Sequence, residues 1–226
     1  HDHHATTSHC GGRPRRAIRA APAAPGGKGP DVRTFTSWPT WDAARADLAD
    51  HPALPVLTRA AEAALRWHGD QTRPTGAPYA EHLLEALEVL VRGAGVSDPA
   101  TLAAVLLHDV VEDTPATVAD VEAGFGDEVA ELVDWVTKPP AGGSGRKDKR
   151  AAKAAYLRRL RDAPDPAVLV KLADRVSNVQ SLEKMPPDFQ RRYYAETVTY
   201  ILPLAERSPW FAEWFGEWRK AYAHLL

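Results

Sequence analysis

The stretch Ser97-Asp98-Pro99-Ala100-Thr101-Leu102-Ala103-Ala104-Val105-Leu106-Leu107-His108-Asp109-Val110-Val111-Glu112-Asp113-Thr114 decides the fold. It opens on Ser-Asp-Pro, a helix start with proline in the first turn, where a missing N–H does little harm. Apolar residues then recur three and four apart over 98–111, and Thr114-Pro115 ends the run. An ionised aspartate flanked by Val105, Leu106, Leu107, Val110 and Val111 must be paired or ligated. Helical spacing puts Glu112 one turn beyond His108 and Asp113 one turn beyond Asp109. Three carboxylates and an imidazole at one end of a buried helix repel unless a cation sits among them. Taken alone, the segment also fits a capped histidine beside a solvated helix end.

The same period runs through 41–50, 54–67 and 81–93. Two shorter helices are expected at 117–123 and 127–137, with Gly124 and Gly126 between them. Gly142, Gly143 and Gly145 mark a loop, and further helices are expected at 147–162, 166–183, 188–206 and 208–225. Val168-Leu169-Val170 could form a short strand, but the helical pattern continues through Val176 and Val179. No strand alternation persists elsewhere, so the expected architecture is an all-α bundle. Trp210, Trp214 and Trp218 repeat every four residues beside Phe211 and Phe215, which reads as a packing stripe.

Composition narrows the class. The chain of 226 residues is long enough for one domain with a real core. A net charge of -2 makes nucleic acid an unexpected partner, and no apolar run approaches the ~20 residues of a membrane helix. Cys10, the only cysteine, excludes an internal disulfide framework and a thiolate zinc cluster, and suits the cytoplasm. The first 33 residues carry six Arg/Lys and two Asp, a local +4 that leaves -6 for the remainder. They hold few large apolar residues, so 1–35 is expected to be a disordered extension or tag-like segment, and 36–226 the domain. The opening His1-Asp2-His3-His4 is read as part of that tail.

Two further positions gain meaning beside His108-Asp109. His82 starts a helix with an apolar face of Leu83, Leu84, Leu87 and Leu90, and alone would pass for a core histidine. Asp174 lies in an apolar helix with Asn178 one turn on, and alone would pass for a local polar network. Together, two histidines and two aspartates make a nitrogen and oxygen set without sulfur. It suits a borderline-to-hard divalent ion with open water positions, such as manganese. The stretch 146–161 carries eight Arg/Lys against Asp148 alone. It is either a solvated helix face or a cradle for a phosphate-rich substrate.

The order His, then His-Asp, then Asp is similar to that of HD phosphohydrolases. The finer wording is Thr72-Arg73…Gly76…Pro78-Tyr79…His82, His108-Asp109…Glu112-Asp113-Thr114 and Lys171-Leu172-Ala173-Asp174-Arg175…Asn178. From about residue 54 to about residue 206 it resembles the hydrolase domain of RelA/SpoT proteins. Nothing after that region could house a synthetase. The layout is therefore expected to be that of the stand-alone small alarmone hydrolases, such as the metazoan SpoT homologue. The resemblance implies that His82, His108, Asp109 and Asp174 ligate manganese. It implies that Glu112 and Asp113 orient or deprotonate the attacking water, and that Arg73 lies along a guanine base. Thr75 and Asn178 would contact the nucleotide, and Lys149 and Lys153, from the basic stretch, would contact its phosphates. The implied reaction is attack at the 3′ ester phosphorus of (p)ppGpp, releasing pyrophosphate and GDP or GTP.

One departure stands out: Pro74 occupies a position where the family usually has lysine. It removes a cationic contact and opens purine choice. His68 also matches a family histidine and is read as structural. The alternatives are a hydrolase of other nucleotides such as (p)ppApp, an antitoxin hydrolase opposing a toxic alarmone synthetase, or a non-catalytic domain that binds an alarmone or a partner. A homo-oligomer is compatible with all of these.

Overall fold

The computed structural model describes residues 31–226. The expected N-terminal extension, with the His1–His4 cluster and Cys10, lies outside the described residues up to residue 30. Its last five residues are described: Asp31, Arg33 and Thr34 are exposed, and the segment is anchored at Phe35. Phe35 is buried beside Trp38, and the Gln180 side chain accepts from the Phe35 N–H at 2.6 Å and donates to its carbonyl at 3.2 Å. Trp214 Nε1 donates to the Arg33 carbonyl at 2.9 Å. Packed structure therefore begins before residue 36. Two large aromatic rings offset the ordering of an otherwise polar segment.

Twelve α-helices follow among the described residues: α1 Trp41–Asp47, α2 Leu54–His68, α3 Ala80–Glu88, α4 Pro99–Leu107, α5 Val110–Asp113, α6 Val118–Phe125, α7 Asp127–Trp135, α8 Arg146–Arg159, α9 Asp165–Val179, α10 Pro187–Glu196, α11 Leu202–Ala205 and α12 Pro209–Ala221. The only strand-like pairing among them is the bridge between Thr72 and Pro78. The 81–93 and 188–206 stretches each contain a π turn, Val89–Gly93 and Thr197–Ile201. The segment 166–183 stays helical through Val168-Leu169-Val170.

The central element is α4. Asp98 caps it by accepting from the Thr101 N–H at 3.1 Å, and every residue from Thr101 to Leu107 is buried. A helix apolar on all sides must be surrounded, and α4 packs against α2, α3, α7 and α9. The aromatic stripe of α12 packs against α11 and the end of α9. Phe211, Trp214, Phe215 and Trp218 are buried, and Trp218 Nε1 donates to the Val179 carbonyl at 2.9 Å.

The structure corrects one expectation that bears on the site. Residues 98–113 do not form a continuous helix. It stops at Leu107, Asp109 takes φ −104° and ψ −1°, and α5 restarts at Val110. Glu112 and Asp113 therefore belong to a new turn rather than to the same helix as His108. Burial explains the break: the two-residue turn swings the Asp109 carboxylate toward the histidines instead of leaving it among apolar side chains.

Candidate metal centre

Each of the four candidate ligands comes from a different structural circumstance. His82 lies in the first turn of α3, just after the loop Gln71–Tyr79. That loop is closed by Arg73 N–H to Ala77 O at 2.8 Å, Gly76 N–H to Arg73 O at 2.8 Å and Tyr79 N–H to Gln71 O at 3.0 Å. Gly76 has φ +87°, the left-handed conformation that such a tight return requires and that side-chain-bearing residues avoid. His108 caps α4, Asp109 is the residue of the break, and Asp174 projects from the middle of α9.

These side chains converge. One donor atom from each of His82, His108, Asp109 and Asp174 can be chosen so that all lie within 4.8 Å of one another. The two Nε2 atoms are 3.2 Å apart. Asp174 Oδ1 lies 3.0 Å from both, and Asp109 Oδ2 lies 3.4 Å from His82 Nε2 and 3.0 Å from His108 Nε2. His108 Nδ1 sits 2.6 Å from the Val105 carbonyl, an obligate acceptor, so Nδ1 carries a proton. In the neutral ring Nε2 is then a lone pair, directed at two carboxylate oxygens and a second imidazole nitrogen. Such a convergence of acceptors is satisfied by a bound cation, and the oxygen and nitrogen set fits a divalent ion.

Electrostatics agree with this reading. Burial opposes charge on His108, but Asp109 and Asp174 outweigh it and hold the imidazole pKa well above its ordinary value. Burial likewise opposes ionisation of Asp174, yet Lys171 and His108 hold its carboxyl well below the usual carboxylate range. The centre thus favours cationic charge at the histidine nitrogens.

Around the four, the structure adds Tyr79 and Lys171, to which the sequence assigned no role, and places Asn178 against Asp174. The Tyr79 hydroxyl donates to Asp109 Oδ2. Lys171 Nζ contacts Asp174 Oδ2 at 3.0 Å, and Asn178 Nδ2 donates to Asp174 Oδ1 at 3.3 Å. Tyr79 and Lys171 stand inside the quoted motifs, and Lys171 lies one turn before Asp174 on the same helix face, a spacing readable in advance. His68 is buried against the Tyr79 ring, with Nδ1 2.8 Å from Gln71 Oε1.

Glu112 and Asp113 line a cavity of about 780 Å³ with Lys138, Lys149 and Arg159. Glu112 accepts from the Lys138 N–H. Its pKa is raised by burial, with help from Asp109 and Asp174 and against the Lys138 N–H. Asp113 accepts from Gln71 Nε2 at 3.3 Å.

A second cleft of about 490 Å³ is lined by Arg73, Pro74, Thr75, Tyr79, Asn178, Phe189 and Tyr193 among others. Arg73 Nη1 is held by Glu81 Oε1 at 2.7 Å and Glu85 Oε2 at 2.9 Å. Phe189 and Tyr193 stack with ring centroids 4.1 Å apart. Lys149 also lines a groove with Arg146, Arg150, Arg191 and Arg192. Lys153 is placed elsewhere: it pairs with Glu196 at 2.8 Å, over the ring of Tyr193.

Comparison with known proteins places this arrangement. The family model described as HD domain matches residues 60–211. Bifunctional (p)ppGpp synthase/hydrolase SpoT of Escherichia coli K12 is 41% identical over 143 residues, 62% of this chain and 20% of that protein. A GTP pyrophosphokinase of Streptomyces coelicolor is 42% identical over 157 residues, 68% of this chain and 18% of that protein. The chain thus spans about a fifth of the length of these curated relatives. A solved metazoan ortholog of SpoT, described as hydrolysing ppGpp and acting in starvation responses, superposes with a TM-score of 0.66. It is 27% identical, and the match covers 76% of this chain and 97% of that one.

Proposed function

The chain belongs to the HD-domain family, and from that premise we propose that it is a metal-dependent hydrolase that removes the 3′-pyrophosphate of (p)ppGpp. One observation carries the reading. Tyr79 and Asn178, both on the wall of the 490 Å³ cleft, hydrogen-bond Asp109 and Asp174, so cleft and centre share a boundary. A nucleotide seated in the cleft would present its ribose phosphates at the four donors.

His82, His108, Asp109 and Asp174 would hold the ion, and manganese is the proposed occupant because the set is nitrogen and oxygen only. A divalent ion there would polarise a phosphoryl oxygen and bring the pKa of water toward neutrality. Glu112 would accept the proton of the attacking water, a role its raised pKa suits. Asp113, tethered to Gln71, would orient that water. The Arg73 guanidinium and the stacked Phe189 and Tyr193 offer flat surfaces for a purine, and Thr75 and Asn178 offer polar contacts beside it. The groove of Arg146, Lys149, Arg150, Arg191 and Arg192 supplies charge for phosphates, and Lys153 would add to it from its place on Glu196.

A relaxed purine preference is the second reading, favoured by Pro74 on the cleft wall, where it offers neither charge nor hydrogen-bond donor. The test of the main reading is turnover of ppGpp by the purified protein, with manganese and then with a chelator. Manganese-dependent hydrolysis supports it; no hydrolysis in a protein shown to bind manganese overturns it.

A further inference from the structure

Beneath the four-donor centre runs a buried chain of polar groups whose partners come from three places in the sequence. His82 Nδ1, on the far side of the ring from the centre, lies 2.8 Å from Ser177 Oγ. Ser177 Oγ lies 2.9 Å from Glu85 Oε1 and 3.5 Å from the His82 carbonyl. Glu85 Oε1 also accepts from Gln180 Nε2 at 3.0 Å, and Glu85 Oε2 accepts from Arg73 at 2.9 Å. His82, Ser177, Glu85 and Gln180 are all buried.

Donor and acceptor counting fixes the direction of this chain. A serine hydroxyl has one proton. Its two oxygen partners, a carboxylate and a carbonyl, are obligate acceptors, and the carboxylate is the nearer. If the proton pointed at Nδ1 instead, the lone pairs of Ser177 and Glu85, both buried, would face each other at 2.9 Å. Ser177 therefore donates to Glu85 and accepts from the His82 Nδ1–H, which leaves the Nε2 lone pair facing the centre. His108 reaches the same tautomer by a different route, through the Val105 carbonyl.

We propose that Ser177 and Glu85 are positioning residues that set the His82 tautomer and ring angle for metal binding. The inference rests on the metal-binding reading above. Helices α3 and α9 supply all three members, so the relay also fixes the spacing of the two helices that carry His82 and Asp174. Supporting groups of this kind orient metal-bound histidines and raise their basicity.

The test is manganese affinity by calorimetry without nucleotide, on full-length wild type, Ser177→Ala, Glu85→Ala and Glu85→Gln, with metal-free melting curves as the fold control. Ser177→Ala should weaken manganese binding by about 10–100-fold. Glu85→Ala should do the same, because the freed Ser177 proton can then turn to Nδ1 and force the wrong tautomer. Glu85→Gln keeps an acceptor oxygen for Ser177 and should stay within about threefold of wild type, since only the tie to Arg73 is lost. Ser177→Ala or Glu85→Ala binding manganese as wild type does would overturn the inference, as would a Glu85→Gln as weak as Glu85→Ala with its fold intact. Wild type that binds no divalent ion would instead overturn the metal-binding reading itself.

Discussion

Lys171 Nζ stands 3.0 Å from Oδ2 of Asp174, while Oδ1 of the same carboxylate lies 3.0 Å from Nε2 of both His82 and His108. One carboxylate therefore divides its oxygens between a fixed ammonium and the centre. Lys171→Met should destabilise the metal-free protein by up to about 3–5 kcal/mol, the cost of breaking a buried pair, reduced because both imidazoles remain. Manganese should restore part of that loss, since it supplies the missing positive charge. Urea melts with chelator and with manganese check this; an equal loss in both would mean that Lys171 does not balance the centre.

Asp109 and Glu112 are both acidic and close in sequence, yet they should fail differently. Asp109→Ala removes a candidate ligand, so bound manganese and turnover should fall together. Glu112→Gln should leave manganese bound while turnover falls by about 10²–10⁴, the usual weight of general-base catalysis. The same split is expected between Asp174→Ala and Asp113→Asn. Metal content and turnover would be measured on the same preparations. Full activity in Glu112→Gln and Asp113→Asn would make these carboxylates solvated helix-end charges.

Glu196 gives a pH prediction away from the centre. Burial raises its pKa, but Arg175 at 2.7 Å and Lys153 at 2.8 Å outweigh that and hold it below the ordinary 4.5. A depressed carboxyl contributes stability that is full above its unfolded pKa and lost as pH falls through its folded one. The stability gap between wild type and Glu196→Gln should therefore be constant above about pH 5 and shrink below about pH 4.5. A gap unchanged down to pH 3 would show that the ion pairs do not shift this group.

Most of the fold was legible because α4 announces itself. Its Ser-Asp-Pro start and unbroken apolar run specify a helix buried on every side, and the amphipathic helices around it follow from the same period. Periodicity did not register the break at His108-Asp109, because a two-residue turn leaves the spacing of apolar residues nearly intact. Nor did it mark the π turns at Val89–Gly93 and Thr197–Ile201, where one extra residue is absorbed within a helix. Phe35 was hidden by a polar neighbourhood; its burial depends on Gln180 and Trp210, far away in sequence. At the site, the ligand candidates could be named from spacing and resemblance. Glu85 and Ser177 could not, because each looks like an ordinary helical residue until α3 and α9 are laid together.

Purine choice should show the effect of Pro74. With no cation at that position, adenosine and guanosine 3′-pyrophosphates are expected to turn over within about tenfold of each other, under ~1.4 kcal/mol in transition-state binding. Pro74→Lys should widen the ratio in favour of guanosine. A wild-type preference for guanosine above a hundredfold would show that the rest of the cleft reads the base without that contact.

The most direct test of the central claim is the identity of the product. ³¹P NMR of ppGpp incubated with the protein and manganese would follow the phosphorus atoms themselves. The account predicts equimolar pyrophosphate and GDP, from attack at the 3′ ester phosphorus. Orthophosphate as the sole inorganic product would contradict it, because the bond broken would then lie between the two phosphoryl groups and not at the ribose.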